Sequence, residues 1–249
     1  MKIPSLAAAC ALAALVFLSG CGTRSISNSD YPERSNRYGR RPDNGYRGEL
    51  AEVDVLGVDT TRAIAEGDIV SALENAGDAR LVRGGRLLLI QSGAPRPDAE
   101  MSEAMGRYFT VAEFSGVPAD AGMSRGASYN KQLRLMAGHG GYDKIVCYWG
   151  VPESARENKV TKAVSWVPIL GGAVPDERQT MRIRLRAAII DVRTNNWTMV
   201  TPPPVKSGDS SSGYTRKATD QGLVNELKAR GCQELAKTLA DSHAAAAGK

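Results

Sequence analysis

Few residues in this sequence are equipped for catalysis. It holds two histidines, the side chains whose ordinary pKa best suits a general base near neutral pH. His243 lies in the terminal "DSHAAAAGK", which leaves His139 in "AGHGG" as the candidate within a patterned segment. Joined to Ser92 or Ser115 and to Asp143, it would complete a Ser/His/Asp set. Neither "QSGAP" nor "FSGVP" has the leading glycine and following helix of a nucleophile elbow. His139 fits a glycine-rich helix end equally well, where the helix dipole favours it. A hydrolase therefore stands as an alternative, with no residue assigned as catalytic. No pair of ligand types falls at finger-like or i,i+4 spacing, so no metal is expected. "RGG" and "GHGG" lack the Walker and dinucleotide spacings, so no cofactor is expected either.

The thiols carry more information. Of four cysteines, Cys10 and Cys21 lie at the start. Met-Lys is followed by an apolar run from Leu6 to Leu18, which is shorter than the roughly 20 residues a spanning helix needs and reads as a signal peptide. It ends in Leu18-Ser19-Gly20-Cys21, which resembles the bacterial lipobox. That resemblance implies a diacylglycerol on the Cys21 thiol and cleavage ahead of it, with palmitate-type acyl chains as the membrane anchor. Gly22 stands where an aspartate would resemble an inner-membrane retention signal, so the expected location is the outer membrane with the domain facing the periplasm. In that oxidising compartment Cys147 and Cys232 could pair across a loop of about 85 residues. Two separately buried thiols fit the sequence equally.

Stepping from Cys21 into the chain, residues 22–48 hold six arginines, three acids and almost no aliphatic side chains. Such a stretch buries too little surface to offset its ordering entropy and is expected to be a flexible tether. The expected organisation is a signal peptide at 1–20, a lipidated tether at 21–48, a periplasmic domain at 49–241 and a disordered tail at 242–249. The net charge is +5, mild and spread out, which points to no nucleic acid partner.

Within the domain, helix and strand patterns alternate. "GDIVSALENAG" (67–77) puts Ile69, Val70, Leu73 and Ala76 on one helical face, and Leu87–Ile90 reads as a strand buried on both sides. "PDAEMSEAMGRYF" opens with helix-start residues and stripes Met101, Met105 and Tyr108. "TVAEFSGV" reads as a strand, "SYNKQLRLMAGHGG" as a helix and "YDKIVCYWGV" as a strand. In "TMRIRLRAAIID", Met181, Ile183, Leu185 and Ala187 alternate with Arg182, Arg184 and Arg186, giving one buried and one wet face. "RTNNW" supplies a tight turn. "PPPVKSGDSSSGYTRKATD" reads as polar loop, and the last helix carries Leu223, Leu227, Leu235 and Leu239. The fold class expected is α/β: a single mixed-sheet domain with flanking helices and a long antiparallel hairpin.

Between the hairpin strands lies "SWVPILGGAVPDE" (165–177), unusually apolar for a turn region. Trp166, Pro168, Ile169 and Leu170 are therefore the candidate docking residues, since apolar side chains at a tip need cover.

Three segments carry a wider resemblance: "RLLLIQSGA" (86–94), "YDKIVCYWG" (142–150) and "RLRAAIIDVRTNNW" (184–197). In this order they resemble the superfamily that includes the TolB amino-terminal domain, the curli secretion channel subunit and outer-membrane lipoprotein activators of peptidoglycan synthases. The resemblance implies a periplasmic docking domain, a non-catalytic interaction or assembly factor whose partner is an envelope protein or cell-wall polymer. A homo-oligomer fits the same resemblance, and a carrier of a small apolar ligand is a further alternative.

Overall fold

The computed structural model describes residues 24–29, 46–59, 62–77, 79–118, 127–157, 164–168, 180–207 and 220–242. Strand β1 (Arg86–Gln91) is an inner strand of the sheet, and its run of apolar residues feeds both faces. Leu87 and Leu89 point into one core cluster, and Leu88 and Ile90 into the other. β1 lies parallel to β2 (Thr110–Phe114) and to β3 (Lys144–Glu157). Parallel neighbours need crossover helices. α3 (Ala99–Gly106) joins β1 to β2, and α4 (Ala127–His139) lies between β2 and β3.

β5 (Met181–Asp191) then runs antiparallel to β3, from Lys144↔Asp191 to Ser154↔Met181. β6 (Trp197–Val200) folds back on β5 through a turn in which Asn195 adopts φ +61°. Asp191 holds this turn, its Oδ1 accepting from the N–H groups of Arg193 and Thr194, both at 2.9 Å. Asn takes the left-handed region with little strain. The seven-stranded sheet runs β2-β1-β3-β5-β6, with β4 (Val164–Pro168) beside β3 and β7 (Val205–Lys206) beside β5. The mixed α/β architecture is the expected one. β7 is a small departure, a strand where a polar loop was read.

Helices cover the two faces unequally. On the first, α3 and α5 (Asp220–Asp241) bury Met101, Met105, Leu227, Leu235 and Leu239. Each fully buried leucine there contributes about 2 kcal/mol. On the second, α1 (Glu52–Leu56) and α4 bury Val55, Leu133 and Ala137. α2 (Glu66–Glu74) forms near its predicted place but not in its predicted role. Ile69, Val70 and Leu73 are 47–71 % exposed, so the stripe that reads as core faces outward.

The chain ahead of the domain also departs from expectation. Of the supposed tether, residues 24–29 and 46–48 are described, and the first of these stretches holds a short 3-10 turn, Ile26–Asn28, seated on β3. Arg24, Ser25, Ile26 and Ser29 are all buried. β1 pairs with β3 only as far as Tyr148, and β4 ends opposite Glu153. The turn occupies the side of β3 that neither strand reaches.

Candidate functional site

β3 and β5 outrun their helical cover. Beyond Trp149 and Arg186 they continue as an extension ordered β4-β3-β5-β7. Its first face is closed by Met181, Ile183 and Val205 against α5. Its second face carries the wet side of the alternation: Arg182, Arg184 and Arg186. Register sets them opposite Glu153, Val151 and Trp149. Among the described residues only the first turn of α1 reaches this half of the face, at Arg186, and the side chains of Arg184 and Arg186 are each 50 % exposed.

The charges on this tray are arranged in layers. Glu153 is buried at the floor, where it takes Arg182 Nε and, at 3.5 Å, Arg184 Nη2. The Arg182 guanidinium in turn stacks 4.1 Å from the ring centre of half-buried Trp166, with Lys206 Nζ 5.9 Å from the same ring. Arg186 pairs with Glu52 and stands 5.7 Å from the Trp149 ring. Arg182, Arg184, Arg186 and Lys206 thus face two carboxylates, Glu153 and Glu52, so the tray keeps a positive balance. Guanidiniums stacked on indole keep their donors free for carboxylate or phosphate oxygens.

A cavity of about 450 Å³ opens where the tray meets the 3-10 turn, lined among others by Arg24, Ser25, Glu49, Leu50, Trp149 and Arg186. Trp149 Nε1 donates to Leu50 O at 2.9 Å, and Leu50 N donates to Ser92 Oγ at 2.8 Å. Burial pushes the Glu49 carboxyl up, opposed by the Ser25 and Ser92 hydroxyls and by Arg186. Tyr46 is also raised, by burial first and then by Glu49.

Not every candidate from the sequence can be placed. Trp166 and Pro168 lie in β4 itself, half-buried, while Cys21, Ile169 and Leu170 lie outside the described residues. Cys147 and Cys232 are both free and both buried, and they belong to the two separate clusters on opposite faces of the sheet. Of the two readings left open by the sequence, this arrangement fits two separately buried thiols. Burial pushes the Cys147 thiol up, and pushes that of Cys232 up to about 12.

The Ser/His/Asp set does not assemble. Ser92 follows the C-terminal end of β1, whereas His139 and Asp143 precede the start of β3, which runs parallel. That is about six residues, or roughly 20 Å, along the sheet. Ser115 only caps a local turn, accepting from Val117 N at 3.3 Å. No group of metal-ligating side chains occurs among the described residues. Trp149, Glu153 and Lys206 escaped the sequence reading, because only the β3–β5 and β5–β7 registers put them beside the arginines. Their signal was present in the odd numbering of Trp149, Val151 and Glu153 along an extended strand.

Among the described residues no helix is long and apolar enough to cross a membrane. No curated protein and no solved structure matches the chain. A family model described as YafT bacterial lipoprotein matches residues 51–242, from α1 to the end of α5. That span takes in the whole sheet and the tray, and the chain belongs to the YafT bacterial lipoprotein family.

Proposed function

We propose that this lipoprotein is anchored through acylated Cys21 in the outer membrane and works as a non-catalytic interaction factor, docking an acidic segment of another envelope protein on the open half-sheet. The carrying observation is the tray itself, where Trp166, Arg182, Arg184, Arg186 and Lys206 crowd a face that, among the described residues, a helix reaches only at Arg186. Arginine and tryptophan are the side chains most enriched at interface hot spots. β4 pairs only with β3 among the described residues, so its other edge offers main-chain groups to an added strand. Ile169 and Leu170 follow directly in the chain and extend the docking element. A docking role is also what the resemblance to the TolB-type superfamily implies.

The distance between Ser92 and His139 weighs against the hydrolase. The test is partner capture by the full lipoprotein after crosslinking in cells. Trp166→Ala with Ile169→Ser should abolish it at an unchanged unfolding midpoint, and undiminished capture contradicts the docking assignment.

A further inference from the structure

The first described residue after the anchor cysteine is already part of the domain. Three links separate Cys21 from buried Arg24, a span of at most about 11 Å. Were residues 22–48 a free coil, their root-mean-square reach would be about 30 Å.

The seat of residues 24–29 is specific. Ile26 is 2 % exposed and belongs to the first core cluster. Ser27 Oγ donates to Ser92 O at 2.6 Å and accepts from Gln91 Nε2 at 3.0 Å. Lys228 Nζ on α5 donates to Ile26 O at 3.2 Å and pairs with Asp98 at 2.8 Å. Gln91 Nε2 also donates to Asp98 Oδ2 at 3.2 Å, and Asp98 N donates to Gln91 Oε1 at 2.7 Å. One partly buried polar network thus ties the anchor-proximal turn to β1, to the start of α3 and to α5. Tyr46 packs beside the end of β1, its ring 2.8 Å from where a Cβ on Gly93 would stand.

We infer that the surface around this seat is a membrane-contact face, and that the domain rides directly on the phospholipid headgroups instead of swinging from a long leash. This rests on the proposed acylation of Cys21. Arg24 fixes where the leash ends, so the cavity rim formed by Glu52, Val53 and Arg186 lies at headgroup level. Arg186, half-exposed beside Glu52, offers a guanidinium there, a group suited to anionic headgroup phosphates. The docking tray begins at this same rim, which makes its partner a membrane-proximal one.

Energy transfer on vesicles tests this. The full acylated protein is reconstituted in phosphatidylethanolamine and phosphatidylglycerol vesicles with acceptor-labelled headgroups. A donor is attached at Val53→Cys beside the cavity, or at Glu103→Cys on α3, across the sheet. Cys147 and Cys232 are buried and stay unlabelled. Transfer from position 53 should clearly exceed that from 103. A flexible Gly/Ser spacer of about twelve residues between Thr23 and Arg24 leaves the seat intact and adds roughly 20 Å of reach, and should cut transfer from position 53 by about twofold. Ile26→Asp with Ser27→Ala, which frees the turn, should bring the two positions together. Equal transfer from 53 and 103 in the acylated wild type, or no response to the spacer, overturns the inference and leaves the anchoring reading intact. Mass spectrometry showing an unacylated Cys21 overturns the anchoring reading itself.

Discussion

Ile26 fills the space that a side chain on Gly150 would need: a Cβ built there stands 2.7 Å from Ile26 Cγ2 and 2.4 Å from Leu185 Cδ2. The glycine is what lets the anchor-proximal turn lie on β3 at the one stretch that neither β1 nor β4 covers. Gly150→Val should cost about 2 kcal/mol by overpacking, read as a fall in the urea midpoint. It should also make the chain before Glu49 more sensitive to protease. A variant as stable as wild type with a protected N-terminus would contradict this seat.

The two charges that share Glu153 differ in burial, and their removal should differ in cost. Glu153→Ala leaves the Arg182 guanidinium, whose side chain is 11 % exposed, without its carboxylate. Breaking a buried pair from one side costs about 3 kcal/mol. Arg184 is 50 % exposed at 3.5 Å, so Arg184→Ala should cost less than about 1 kcal/mol. Chemical denaturation of both variants checks the ratio.

Acid should loosen the β5–β6 turn. Burial alone would raise the Asp191 carboxyl, but Lys144 and the Thr194 N–H and hydroxyl outweigh it and bring it to about 2. A folded value below the unfolded one, near 4, stabilises the fold above that pH. The contribution is lost as pH falls through about 2. Asp191→Asn should therefore be less stable at neutral pH and lose less between pH 4 and 2, measured by urea midpoints across that window.

Neither Cys147 nor Cys232 should react with iodoacetamide in the folded protein, and both should react in urea. Their burial and raised thiols leave almost no thiolate. The protein should migrate identically with and without reductant. A shift to a faster band without reductant would place the two thiols in reach of each other and contradict the two-sided core.

Period-two and period-3.6 patterns foretold most of the fold. Met181, Ile183, Leu185 and Ala187 are buried as the alternation required, and Leu87–Ile90 serves both faces. Leu227, Leu235 and Leu239 line α5 against the sheet. Amphipathic spacing misled at α2, because a stripe shows that a face could be buried and not that anything lies against it. Leu73→Ser should accordingly move stability by less than about 0.5 kcal/mol. Composition misled at residues 24–29, where polar residues are held by Gln91, Ser92 and Lys228, groups far away in the chain. Of the tray, the three arginines were visible as a wet face. Their partners were not, since Glu153 and Trp149 reach them only through register.

Docking on the open half-sheet is tested most directly by photo-crosslinking in living cells, with the probe amino acid at Arg184 or Pro168 and a control at Glu103 on α3. A discrete adduct from positions 184 and 168, absent at 103, is the predicted result. Adducts of equal strength from all three positions, or none from 184 and 168, would contradict the assignment of this face.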